Sequence, residues 1–281
     1  MRPALLINDG NQQLAADTSL PERLKDAIGA VPRQGPQARS LRVDGIGKRY
    51  GETVALSGVT IDFTPGHVHT VLGENGSGKS TLLKLLSGIV QPSEGAILLD
   101  GQPIAPRSPA EMRRHGLATV FQEVLITPHR SVTENVLLGY DGMIERRMPA
   151  SRREAAVAAM LGALSKTPIE LDRPAGRLPL AVQQLIVIAR ALVHLPGILL
   201  LDEATAALDL GDRDRVFDVI SEYARSGNVV IFISHRMDEV RRLSDRVSIL
   251  RSGSLVETLE RDDLTTERLL RLMAPEARLH A

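Results

Sequence analysis

The chain has 281 residues with 34 basic and 34 acidic side chains, so its formal charge is zero and no global positive field would hold it to nucleic acid. Hydrophobic residues at 43% and charged residues at 24% describe an ordinary globular chain with enough apolar surface for a sizeable core, in one large domain or two small ones. The absence of cysteine excludes a disulfide scaffold, a thiolate zinc site, an iron–sulfur cluster and a cysteine nucleophile. No apolar run reaches the roughly 18–20 residues that span a bilayer. The apolar stretch at 4–7 is too short for the core of a signal peptide. These bounds lead us to expect a soluble, intracellular, single-domain-sized protein.

Residues 1–40 carry four prolines (Pro3, Pro21, Pro32, Pro36) and no strand-like alternation. Leu20, Leu24, Ile28 and Val31 recur at near-helical spacing, so this flexible leader is read either as mostly disordered or as holding one short docking helix. From about residue 41 strand, turn and helix alternate. Val59, Ile61 and Phe63 alternate with Thr60, Asp62 and Thr64, the pattern of a half-buried strand. A second strand is expected at Val68–Leu72, running into a glycine cluster at 73–78, and a helix at Lys79–Leu86, closed by Gly88. Residues 96–101 suggest a hairpin strand and 117–121 another. Between about 123 and 177 the pattern is helical, with an alanine-rich segment at 153–164. Ile198–Leu201 and Val229–Ile233 are continuous apolar runs, as in a parallel sheet covered on both faces. Mixed charges at 260–268 suggest a solvated helix entry, and 274–281 form a tail. The reading is an α/β core with a helical insertion and no internal repeat. His67 and His69 alternate and would share a strand face, but with no third ligand nearby they are read as structural or solvent-facing rather than as a metal pair.

The run at 73–81, GENGSGKST, fits G-x-x-x-x-G-K-[ST] between an expected strand and an expected helix. Glycines let the backbone wrap a phosphate without a Cβ clash, and the helix beginning near Lys79 adds its positive dipole end. Gly73, Glu74, Asn75, Gly76, Ser77, Gly78, Lys79, Ser80 and Thr81 are therefore expected to hold a nucleoside triphosphate. Lys79 would neutralise β- and γ-phosphate oxygens, and the Ser80 hydroxyl would sit on Mg²⁺. Far downstream, ILLLDE at 198–203 is a buried strand ending in two acids. Asp202 would hold Mg²⁺ through water, and Glu203 would polarise the attacking water.

These residues resemble the ATP-binding-cassette ATPases, over roughly 41–273. Gln122, 43 residues after Lys79, is similar to the family's Q-loop glutamine, which implies a place for it at the metal and in catalysis. Asp209 in AALD (206–209) resembles the D-loop at the dimer interface, and His235 in FISHR (232–236) the switch histidine. Tyr50 in KRYG, just before the first β-hairpin, sits where the family stacks an aromatic ring on adenine. The resemblance implies a P-loop NTPase core with a parallel sheet, an N-terminal antiparallel β-subdomain and an inserted helical subdomain at about 123–177. The stretches VFQEV (120–124), ITPHRSVTENVLLG (126–139), QQLIVIARAL (183–192) and FISHRMDEVRRLSDRVSILRSG (232–253) resemble the N-terminal cassette of bacterial sugar importers of the ribose and xylose type. Those proteins usually fuse two cassettes. This chain carries a single set of motifs, so a second cassette is expected elsewhere.

The resemblance implies ATP and Mg²⁺ as cofactors and a peripheral place on the cytoplasmic face of the bacterial inner membrane. As partners it implies transmembrane permease subunits, a second cassette (homo- or heterodimeric) and, indirectly, a solute-binding protein. The family's signature departs here, reading LPLAVQQ at 178–184. Pro179 replaces a serine and Val182 a glutamine, while Ala181 is common in the sugar group. In the family each signature completes the partner's ATP site, and a proline supplies neither hydroxyl nor N–H. Losing charge-assisted bonds of about 1.5–3 kcal/mol each would slow hydrolysis or require an intact partner. Two alternatives stand beside an importer ATPase. One is a poorly hydrolysing accessory cassette that completes a partner's site, and the other is a non-transport cassette acting on ribosomes or DNA. The apolar residues of 124–140 are equally a packed subdomain core or a grip on the permease.

Overall fold

In the computed structural model residues 40–139 and 150–273 are described. The leader helix read at 20–31 and the tail at 274–281 lie outside them. Strand β1 (Leu41–Tyr50) pairs antiparallel with β2 (Thr53–Phe63) on one side and β4 (Glu94–Leu99) on the other. With β5 (Gln102–Ile104) they form a four-stranded sheet of order β2-β1-β4-β5. Only the second strand of this hairpin shows in the sequence. Gly45 at φ +59 and register shifts at Val43/Ile46 and Ile46/Lys48 break the alternation of the first, so its period-2 signal is lost. Tyr50 therefore ends a strand of the hairpin instead of preceding it.

The second sheet has the order β10-β9-β3-β8-β7-β6. Its parallel part comprises β3 (Val68–Leu72), β6 (Leu117–Val120), β7 (Ile198–Asp202), β8 (Val229–Ser234) and β9 (Arg246–Arg251), and β10 (Ser254–Glu260) adds an antiparallel edge. β3 lies between β8 and β9, buried at all five positions. Alternate side chains feed two cores. Leu199, Leu201, Val230 and Phe232 face one, filled by the helices. Ile198, Leu200, Ile231 and Ile233 face the other, shared with Phe63 of the antiparallel sheet and with Leu82 and Leu86 of α1 (Lys79–Leu86). Strands apolar on both faces require covers on both faces, and the two layers supply them. β9 was not legible in the sequence because Ser248 interrupts its apolar run; the Ser248 hydroxyl is satisfied internally by His69 and Thr258.

Helix α2 (Pro109–Arg114) precedes β6. In the stretch expected to be helical at 123–177, the described helices are α3 (Val132–Val136), α4 (Ala150–Leu164) and a 3-10 turn at Ala175–Arg177; the segment directly after Gln122 is irregular. Ala156, Val157, Met160, Leu161 and Leu164 place the apolar stripe of α4 on the core shared with α5 (Leu180–Val193). Helices α6 (Leu210–Arg225), α7 (Met237–Leu243) and α8 (Thr266–Met273) complete the layer order. The charged stretch at 260–268 is a 3-10 turn entering α8, with Arg268 paired to Asp263 and Glu257. His67 and His69 do not share a face. His67 precedes β3 and bonds locally to Thr64 and Pro65, while His69 is buried with its Nε2 2.8 Å from Ser248 Oγ.

Candidate functional site

Parallel register brings the site together. Leu72 at the end of β3 pairs with Ser234 of β8, and Asp202 at the end of β7 pairs with Ile233. The residues after these positions, Gly73, Glu203 and His235, therefore leave the sheet together at the carboxyl ends of its inner strands, where open parallel sheets hold their ligands. Loop 73–78 leads from β3 into α1. Gly78 caps that helix at φ +106, and a Cβ there would lie 2.6 Å from Leu56 Cδ2 and 2.9 Å from the Ala55 carbonyl. A Cβ on Gly73 would collide with Ser77 Oγ and the Leu250 carbonyl. Both positions thus require glycine for the loop to close so tightly.

Lys79 is buried beneath this loop, where its Nζ donates to the carbonyls of Gly73 at 2.7 Å and Glu74 at 3.0 Å. Burial lowers its pKa from the ordinary lysine value, opposed by the charges of Glu203 and Asp202. Burial, with Glu203 adding to it, pushes the Asp202 carboxyl up to about 6 against the opposing pull of Lys79. Glu203 has a left-handed backbone at φ +46, its N–H donating to Ile233 O at 3.0 Å. Its Oε1 lies 2.7 Å from His235 Nδ1. A non-glycine residue held in that region at a site edge is a recognised reservoir of strain.

An open cavity of about 530 Å³ is lined by Asn75, Gly76, Gly78, Lys79, Ser80, Thr81, Gln122, Asp202, Glu203 and His235, together with Thr53, Val54 and Ala55. Glu74 and Ser77 line a neighbouring hollow of about 350 Å³, and Gly73 is buried at the root of the loop. The wall from β2 was missed by sequence reasoning, because nothing in Thr53–Ala55 marks it except closeness to Tyr50. Tyr50 itself is exposed outside that lining; its strand partner Thr53 lines the cavity, and Lys48 Nζ sits 5.2 Å from its ring centre. Ser80, Gln122 and Asp202 all line this cavity and carry side-chain oxygens, a set suited to a hard divalent cation. The desolvated Asp202 carboxyl fits such an ion, which would replace its lost hydration.

The remaining expected residues lie away from this cavity. Pro179 is the N-cap of α5, which begins with no side-chain cap bond; Gln183 N–H donates to its carbonyl at 3.0 Å, and Leu180 is exposed beside it. Ala181 lies in the first turn of the same helix. Asp209 caps α6, its Oδ1 accepting from Asp212 N–H at 3.0 Å while its Oδ2 pairs with Lys166 Nζ at 2.7 Å. Of the apolar residues in 124–140, Val132, Val136 and Leu137 are buried in the core. Leu125 and Leu138 are exposed and border a second hollow of about 410 Å³ with Met112, Leu117, Phe121 and Val187.

Residues 56–206 match a family described as ABC transporter. The chain is 41% identical over 236 residues to the ribose import ATP-binding protein RbsA 1 of Rhizobium johnstonii, covering 83% of this chain and 45% of that protein. It is 42% identical over 252 residues to the ribose import ATP-binding protein RbsA of Burkholderia pseudomallei, covering 86% and 48%. The chain thus spans about half the length of the curated relatives it matches. Among solved structures, an ATP-binding cassette of an ABC transporter in its ADP conformation superposes with a TM-score of 0.70 at 27% identity, covering 83% of this chain and 97% of that one. A bacterial Atm1-family ABC exporter with ATP bound gives 0.71 at 28% identity, covering 91% and 45%.

Proposed function

Since the chain belongs to the ABC transporter family of ATP-binding cassettes, we propose that it binds and hydrolyses ATP to drive an importer, of carbohydrate type as in the ribose import relatives. The observation that carries this reading is the 2.7 Å contact between Glu203 and His235 at the mouth of a cavity whose other wall is the phosphate loop and Lys79. Loop N–H groups and the N-terminus of α1 receive the β- and γ-phosphates, and Lys79 exchanges its two carbonyl bonds for phosphate oxygens. Tyr50, beside the β2 wall, stacks on the adenine. Glu203 orients and deprotonates the attacking water, and His235 holds that carboxylate and the γ-phosphate in line. Ser80, Gln122 and Asp202 would hold Mg²⁺, which would supply neutralisation of the phosphate charge.

A second cassette supplies its signature across this cavity, and Pro179, Ala181 and Asp209 of this chain meet the partner's site. Transmembrane permease subunits dock at the hollow bordered by Leu125 and Leu138, with a solute-binding protein engaged through them, and the chain sits peripherally on the cytoplasmic face of the membrane. No helix among the described residues is long and apolar enough to cross a membrane itself. An accessory role with little turnover of its own is favoured by one observation: Pro179 offers no side-chain donor at the start of α5, so a pair of identical chains would lack that donor in both sites. Phosphate release from ATP by the purified protein, with Glu203→Gln as control, separates the two. Hydrolysis requires the variant's turnover to fall by about 100-fold or more while ATP binding is kept. Equal turnover in both proteins overturns the assignment of Glu203.

A further inference from the structure

Glu239 occupies the first turn of α7 and is 1% exposed, away from the cavity. Its Oε1 accepts from Thr205 Oγ1 at 2.8 Å and its Oε2 from Ser234 Oγ at 2.7 Å. The Arg236 guanidinium stands 3.3 Å from Oε1, and the Arg236 N–H donates to Ser234 Oγ at 3.1 Å. Thr205 and Ser234 are themselves 1% exposed. A buried carboxylate is costly unless its lone pairs are met, and a fully satisfied buried network holds one geometry. The placement of these partners gives that geometry a use. Thr205 follows Glu203 by two residues on the loop leaving β7, and Ser234, the last residue of β8, and Arg236 flank His235.

We propose that Glu239 is a positioning residue: one buried carboxylate ties together the two loops that carry Glu203 and His235, and so fixes the contact between them. The proposal rests on the hydrolytic reading of that pair. It is tested by the Nδ1 nitrogen resonance of His235 in full-length protein labelled with ¹⁵N-histidine, assigned by its loss in His235→Ala, with Glu203→Ala marking the broken pair. Glu239→Ala and the isosteric Thr205→Val are both expected to move this resonance toward the Glu203→Ala position; Thr205→Val, which removes one hydroxyl from a buried site without changing volume, keeps the test open if Glu239→Ala does not fold. In turnover both variants lose about tenfold or more in kcat at unchanged ATP affinity, with no further loss in a His235→Ala background. An unmoved resonance in folded variants, or a loss additive with His235→Ala, overturns the proposal. Absence of turnover in the wild-type chain counts against the hydrolytic reading alone, because the resonance decides the brace without ATP.

Discussion

His69 is a basic side chain placed where a charge is poorly tolerated. It is buried in β3 against the edge of Phe63, with ring centres 4.8 Å apart; Nε2 meets Ser248 Oγ, and Nδ1 has no hydrogen-bond partner among the described residues. Burial, reinforced by Arg246, lowers its pKa from the ordinary 6.5 to about 3. Between those two values the unfolded chain takes up a proton that the folded chain refuses, so stability is full above about pH 6.5 and falls as the pH drops toward about 3. His69→Gln, which keeps a donor for Ser248 without a titrating ring, is expected to flatten that slope. Denaturant midpoints at pH 7.5 and 5 measure it, and an unchanged pH dependence in the variant removes His69 as the cause. The sequence showed this residue only as one of an alternating pair. Its neutrality comes from Phe63 on β2 and Ser248 on β9, and such long-range partners leave no local trace. Lys79 was legible for the opposite reason: its partners Gly73 and Glu74 are also its neighbours in the motif.

At the scale of elements, legibility followed regularity. Helix α1 and strand β3 have the expected bounds because both carry unbroken local patterns, while β1 was hidden by its bulges and β9 by its internal serine. Helix α3 shows what a short element needs. It has five residues, too few to form alone, and it is fixed at its start by a capping box: Glu134 N–H donates to Ser131 Oγ at 3.2 Å, and Ser131 N–H to Glu134 Oε2 at 3.0 Å. Bonded from both sides, it presents the buried Asn135 to the carbonyls of Thr127, Arg130 and Ser131, and Arg190 of α5 donates to the Asn135 carbonyl at 2.7 Å. The irregular segment after Gln122 is thereby fastened to α5, whose Arg190 also donates to the Leu125 carbonyl at 2.7 Å. Ser131→Ala removes the cap acceptor and is expected to cost about 1 kcal/mol. Thermal unfolding reads this as a midpoint about 2–4 °C lower. A midpoint within error of the wild type places the stability of α3 in its tertiary bonds alone.

For the whole molecule, the parallel register places the phosphate loop, the two acids and His235 at the carboxyl ends of neighbouring strands, while the start of α5 is set away from them with Pro179 and Leu180 exposed. On the proposed reading, half of the reaction centre is presented outward and would act in another molecule's site. Motif reading proposes both halves and leaves open whether the partner is a second copy, since that depends on what Pro179 does at the interface. In a pair of identical chains both sites lack the serine donors. Pro179→Ser restores a hydroxyl and an N–H at the helix start, where Ser is also a favourable N-cap. One charge-assisted hydrogen bond of about 1.5–3 kcal/mol, if made only at closure, is worth roughly 10- to 100-fold in turnover. The purified Pro179→Ser protein is therefore expected to release phosphate at least about tenfold faster, with ATP affinity of the single cassette unchanged. A rate equal to that of the wild type would show that this helix start does not complete a site on a second copy, and would direct attention to a heterologous partner whose own signature serves the Glu203 site.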